Sequence, residues 1–168
     1  MTDLKTTPPL ILDEEDVRRD MELLFYAYRA FTAEADIVLA QHGLGRAHHR
    51  ALYFIGRNTG ITVSELLSIL RITKQSLARV LNDLMRLGFV VQRAGVEDRR
   101  RRHLDLTEKG TALERHLMER QRARIIRSYR EAGMETVDGY RKVLSRMITE
   151  HDRERLMPTA SATRSDTR

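Results

Sequence analysis

The stretch from Ile61 to Thr107 constrains this chain more than any other, because two short helical patterns meet there at a tight turn and run into a basic hairpin. Thr62-Val63-Ser64-Glu65 has the form of a capping box, in which Thr62 accepts from the Glu65 backbone N–H and Glu65 reaches back. Leu66, Leu67, Leu70 and Ile72 give the first helix and its turn an apolar side. The second helix starts at Thr73, and Leu77, Val80, Leu81, Leu84 and Leu87 have the spacing of one buried face. Its opposite face carries Lys74, Gln75, Ser76, Arg79, Asn82, Asp83 and Arg86. Gly88 is placed to end that helix as a left-handed residue. Phe89-Val90-Val91 then predicts a strand, entering a hairpin whose tip is Gly95-Val96-Glu97-Asp98-Arg99-Arg100-Arg101-Arg102.

A helix, a short turn and a second helix with a donor-rich N-terminus form the geometry that places side chains in a DNA major groove. An arginine-tipped hairpin beside it makes the unit a winged helix-turn-helix. Each part alone has a plainer explanation, as packing helices or a solvated charge run; their order favours DNA. Lys74, Gln75, Ser76 and Arg79 are the candidate base readers. Arginine donates in pairs to guanine O6 and N7, glutamine pairs with adenine, and serine accepts or donates at several base edges. Lys74 and the helix N-terminus can equally hold a phosphate.

The run Asp98 to Thr107 also fits the signature Asp-x-Arg, five residues, Leu-Thr, and Glu108-Lys109-Gly110 follows it. In these residues the chain resembles the MarR family, and the order and lengths of the helical patterns extend the resemblance over about Glu14 to Leu156. The resemblance implies a mainly α (α+β) fold: a winged helix-turn-helix, long N- and C-terminal dimerisation helices, and a two- to three-stranded wing. It also implies that Ile61 forms a short strand beside the wing and that Asp98 braces the wing by ion pairing. Arg99, Arg100 and Arg101 would enter or flank the minor groove, with Arg100 the signature arginine. A narrow A·T-rich minor groove attracts such side chains. Proteins of this family are most often repressors that compete for a promoter. Many bind small aromatic or phenolic anions in a crevice between dimer helices and winged domain, for which Tyr26, Tyr28, Phe54 and Arg57 are the candidates here.

The flanking segments fit that plan. Residues 1–12 contain Pro8-Pro9 and predict an extended arm. From Asp13 or Glu14 a long helix begins, in which Val17, Met21, Leu24, Tyr28, Phe31, Ala35 and Val38 alternate four and three apart, a heptad-like seam. Gly43 and Gly45 interrupt it, and a second helix runs from about Arg46 to Arg57 before the turn Asn58-Thr59-Gly60. Thr107 can cap a long helix carrying Leu113, Leu117, Ile125, Ile126 and Tyr129; Ala132-Gly133-Met134 breaks it. One last helix is expected from Glu135 to Leu156, then a tail from Pro158. The predicted division is therefore 1–12 arm, 13–42 and 108–157 dimerisation helices, 43–107 winged domain, and 158–168 tail. A winged domain this small cannot bury all the flanking apolar stripes, so a second copy of the chain is the expected cover.

Composition narrows the rest. The 168 residues carry a formal net charge of +6, which suits a polyanionic partner, with an acidic patch at Asp13 to Asp16 and a dense basic wing. Cysteine is absent, so disulfides, thiolate metal sites and thiol redox sensing are chemically closed. No metal site or other cofactor is expected: His42, His48 and His49 cluster without ligand spacing, and His48, His49 and Arg50 should meet phosphate or solvent. No phosphate loop, nucleophile elbow or His-Glu-x-x-His appears, so an enzyme is not expected. No apolar run reaches 18 residues, and Met1 to Leu10 lacks the pattern of a signal peptide, which predicts a cytoplasmic protein without membrane contact. Two rival readings remain at this point: a ligand-independent DNA-binding activator, and a winged domain whose basic hairpin meets an acidic protein.

Overall fold

The computed structural model describes residues 12–95 and 101–156. Most of the N-terminal arm, the wing residues Asp98, Arg99 and Arg100, and the 158–168 tail, for which expectations were stated, lie outside these residues. The chain forms two compact units, Met1–Arg122 and Ala123–Arg168.

In the first unit, α1 (Glu14–Gln41) starts at Asp13, whose carboxylate accepts from the Asp16 N–H at 2.8 Å, with Glu14, Glu15 and Asp16 at the positive end of the helix. α2 (Arg46–Arg57) and α3 (Val63–Leu70) follow, joined by the two-residue strand β1 (Ile61–Thr62). The capping box forms as the spacing requires: Glu65 N–H to Thr62 Oγ1 at 3.2 Å, and Thr62 N–H to the Glu65 carboxylate at 2.8 Å. α4 (Lys74–Arg86) begins at Thr73, whose hydroxyl caps the Ser76 N–H. Between α3 and α4, Arg71 takes the left-handed conformation at φ 49°, unusual for a residue with a Cβ.

α4 ends as a Schellman motif. Gly88 adopts φ 76°, its N–H donates to Met85 O at 3.0 Å, and the Phe89 N–H donates to Leu84 O at 2.8 Å. Phe89 therefore belongs to the helix stop, and β2 starts one residue later (Val90–Ala94). It pairs with β3 (Arg102–Leu106), which also pairs with β1, giving an antiparallel sheet of order β1-β3-β2. Ile61 and Gln92 flank Leu104 in register, so β3 is the central strand and Leu104 is fully buried. The core beneath is built from Leu39 of α1, Ala51, Leu52 and Ile55 of α2, Leu66 of α3, the apolar line of α4, Phe89, and Leu113 and Leu117 of α5 (Glu108–Ala132).

The second unit contains the end of α5, then α6 (Thr136–Met147) and α7 (Glu150–Leu156). The single last helix expected from Glu135 to Leu156 is in fact two. Ile148 is extended at ψ 159°, and the Thr149 hydroxyl accepts from the Asp152 N–H at 3.3 Å, so Thr149 restarts the helix. The Arg153 side chain ties the halves by donating to Ser145 O at 2.8 Å and Ile148 O at 3.3 Å. Within this unit Tyr129 and Tyr140 meet edge to face at 5.9 Å, and burial pushes the Tyr140 phenol up. Among the described residues, no helix is long and apolar enough to cross a membrane.

Candidate nucleic-acid interface

α4 separates its two faces cleanly. Leu77, Val80, Leu81 and Leu84 are buried, while Lys74, Gln75, Ser76, Arg79, Asn82 and Arg86 are exposed. Gln75, Arg79, Asn82 and Arg86 follow the i, i+4, i+7, i+11 series and so share one line along the helix. All four are bidentate base readers by type, arginine for guanine and asparagine or glutamine for adenine. Lys74 and Ser76 sit in the first turn, where backbone N–H groups lack intrahelical acceptors and Thr73 caps that of Ser76. The Ser76 hydroxyl also accepts from Thr73 Oγ1 at 2.9 Å, which draws it toward the cap.

Asp83 interrupts this donor-rich surface with a negative charge, and two side chains hold it. Arg86 donates to one oxygen at 3.1 Å, and His48 of α2 approaches the other at 3.3 Å. The Arg86 hydrogen bond first, then that from His48, holds the Asp83 carboxyl below the usual aspartate range. Only one neutral tautomer of His48 serves both of its neighbours. Its Nδ1 accepts from the Gly45 N–H at 3.1 Å, closing the N-terminus of α2, so Nε2 carries the hydrogen that faces Asp83. The expectation that His48, His49 and Arg50 meet phosphate or solvent is thereby corrected for His48. His48 is turned inward as a brace between α2 and α4, and burial pushes the His49 imidazole pKa down. A histidine at the third position of a helix that lacks a capping side chain is the sequence signal for this role.

At the base of the hairpin the Gly95 N–H donates to Arg101 O at 2.9 Å, and Arg101 and Arg102 are exposed. Together with Thr62, Val63, Ser64 and Glu65 they line a cleft of about 290 Å³ at the start of α3. Lower on the hairpin, Asp105 accepts from the Gly60 N–H at 2.9 Å and lies 3.8 Å from the Arg93 guanidinium. His103 meets the Gly60 carbonyl at 2.7 Å. These contacts stitch the sheet to the turn before β1, so the position of the wing base depends on that turn.

The four aromatic and basic residues proposed for an effector crevice are dispersed in the described chain. Tyr26 and Tyr28 are two residues apart on α1 and so point to opposite sides of it. The Arg29 guanidinium stacks on Tyr26 at 4.7 Å, and Arg46, which forms a bidentate pair with Asp36, lies 5.9 Å from the Tyr28 ring. Phe54 packs against the core and meets Tyr53 edge to face, and Arg57 is exposed at the last turn of α2. A second cleft, of about 330 Å³, lies along the first turns of α5 and holds none of the four. Among the described residues no cluster of histidine and carboxylate side chains could hold a metal ion.

Comparison with known proteins meets this geometry. Residues 42–101 match the sequence profile of the MarR family. Over 139 residues the chain is 52% identical to the HTH-type transcriptional regulator PetP of Rhodobacter capsulatus, spanning 83% of this chain and 84% of that protein. The chain belongs to the MarR family. Its fold is shared with Streptococcus pneumoniae FabT, solved in complex with DNA, at a TM-score of 0.70 and 23% identity over 79% of this chain and 94% of FabT. It is shared also with NadR, solved in complex with 4-hydroxyphenylacetate, at a TM-score of 0.64 and 21% identity over 84% of this chain and 97% of NadR. The protein is thus a MarR-family, DNA-binding transcriptional regulator with a winged helix-turn-helix.

Proposed function

We propose that this MarR-family regulator acts as a homodimer on a pseudo-palindromic promoter site, as a repressor in the cytoplasm, and leaves DNA when a small aromatic or phenolic anion binds. The observation that carries base reading is the exposed line Gln75, Arg79, Asn82, Arg86 on a helix whose other face is buried. Lys74, Ser76 and the wing arginines Arg99, Arg100 and Arg101 supply phosphate and minor-groove contacts, with Asp98 bracing the wing. Dimerisation is supported by α1, where Val17, Met21, Leu24 and Tyr28 of the seam stay exposed in the single chain. Two reading heads related by two-fold symmetry would meet half-sites about 34–36 Å apart. The residues 13–42 and 108–157 would carry the dimer and 43–107 the reading head.

Release would follow differential affinity: the effector must bind the DNA-incompetent arrangement better, and a tenfold loss of operator affinity requires about 1.4 kcal/mol of such preference. NadR, bound to a phenolic acid in its structure, supports a ligand of that class, with Tyr26, Tyr28, Phe54 and Arg57 as the candidates to mutate. The test begins with selection of duplex fragments by the purified protein and footprinting of the winners. A protected inverted repeat is expected, and a single unrepeated half-site at full affinity would overturn the dimeric reading. Gel shifts with millimolar aromatic carboxylates, salicylate among them, should release the operator. Failure of the whole panel would favour ligand-independent binding.

A further inference from the structure

The carbonyl end of the reading helix is held by the first turn of α5. Lys109 Nζ donates to Leu87 O at 2.8 Å, and the same ammonium lies 4.5 Å from the centre of the Phe89 ring. Thr107 Oγ1 donates to Gly88 O at 2.6 Å while accepting from the Gly110 N–H at 2.9 Å, so one hydroxyl closes α4 and opens α5. The Thr107 N–H donates to Phe89 O at 3.0 Å. Gly110 is buried against this junction, and a Cβ there would run into the Phe89 carbonyl, lying 2.9 Å from its carbon. From the other side the His42 ring, at the end of α1, meets Phe89 edge to face at 5.5 Å.

Each contact has a local reason. Carbonyls at a helix C-terminus lack intrahelical partners and carry the negative end of the helix dipole, which an ammonium satisfies directly. An ammonium over an aromatic face gains a further electrostatic attraction. Their sum is unusual: three consecutive carbonyls, Leu87 to Phe89, all accept from α5's cap and first turn. The contact is backbone to backbone at Gly110, so it has almost no slack.

We infer that Thr107, Lys109 and Gly110 form a clasp that fixes the pitch of α4 to α5, making them positioning residues for base reading. A shift of α5 would then carry the reading line Gln75–Arg86 with it, while a loosened clasp would let α4 tilt out of register with the base edges. The wing arginines and phosphate contacts would be left in place. The inference rests on the DNA-reading assignment of α4, and its test separates the two.

Gly110→Ala and Lys109→Met are compared with the unchanged chain on the selected operator and on random duplex, at several salt concentrations. Amide exchange along α4 is followed in parallel. The clasp predicts that operator affinity falls about tenfold to a hundredfold, the loss of one or two misread base pairs, while random-duplex affinity and salt slope hold. Exchange should quicken at the Asp83–Leu87 end of α4, and Lys109→Arg, which keeps a cation at the helix end, should restore most of the operator preference. Should Gly110→Ala fail to fold, Lys109→Met, which keeps the aliphatic stem, still decides the question. Parallel loss on both duplexes with a salt slope lower by about one would make Lys109 a phosphate contact and overturn the clasp. Unchanged exchange and unchanged operator preference in both variants would overturn it too. If the unchanged chain itself shows no operator preference, the reading assignment of α4 fails, and exchange alone then reports whether α5 holds α4.

Discussion

The reading helix α4 and the long helix α1 carry apolar residues at the same three-and-four spacing, yet among the described residues the first finds its cover and most of the second does not. Leu77 and Leu84 are 1% and 0% exposed, whereas Met21 and Phe25 are 68% and 60% exposed. On α1 the seam sinks only near its C-terminal end, where Ala35, Val38 and Leu39 enter the core beside α2. Helical periodicity thus states that a face is to be buried and is silent on what buries it. A stripe followed within a few residues by partners of complementary shape is covered locally. A stripe that projects beyond them has to wait for another surface.

That contrast can be tested by substitution. Leu84→Ala should lower the unfolding free energy by about 2–5 kcal/mol, since α4 has no freedom to collapse around the void. Chemical denaturation reads this directly, and a loss below about 1 kcal/mol would mean that α4 is not part of the core. Charges on the α1 seam should act on assembly instead. Met21→Glu with Leu24→Glu should weaken a dimer by about 3 kcal/mol or more, taking the scattering mass from about twice 19.5 kDa to one chain while helicity persists. A mass that starts at one chain and does not change would show that the seam has no partner in solution.

On the exposed side of α4 the effects are smaller and concern DNA. Arg79→Ala should cost about 1–3 kcal/mol of operator affinity and relax preference at one position, if Arg79 reads a guanine. Arg101→Ala at the hairpin base should weaken all duplexes alike and lower the salt slope by about one. Identical behaviour of the two variants would erase the distinction between reading face and wing.

The smallest effect is expected from His49. Burial lowers its folded-state pKa, ahead of the opposing pull of Asp36. The unfolded chain then takes up the proton first on acidification. The stability His49 contributes is complete above its unfolded value near 6.5 and is lost as pH falls through the lower folded value. The slope from this one group cannot exceed about 1.4 kcal/mol per pH unit. His49→Gln should flatten the acid side of the stability profile below pH 6.5, and an unchanged slope would show that His49 takes its proton as readily in the folded chain.

The local elements of this protein were legible because their signals are local. Thr62 with Glu65, Thr73 with Ser76, Gly88 after Leu87, and Thr107 before Glu108 each satisfy backbone groups within four residues, so the order of residues alone determined where helices start and stop. The family signature in the hairpin was legible for a different reason, as a fixed spacing of residue types. The break at Ile148-Thr149 is not legible in the sequence because Val137, Tyr140, Leu144, Met147 and His151 keep the three-and-four spacing across it, and a threonine cap competes with continuation only weakly. Other features were decided only when distant segments met. His48 became a brace because α2 crosses α4 beside Asp83, thirty-five residues on. Lys109, which looked like part of a motif, became a helix cap because Leu87 turns its carbonyl toward α5, twenty-two residues away. Hydrogen-bond partners at such separations depend on packing distances of a few ångströms, which no spacing along the chain encodes.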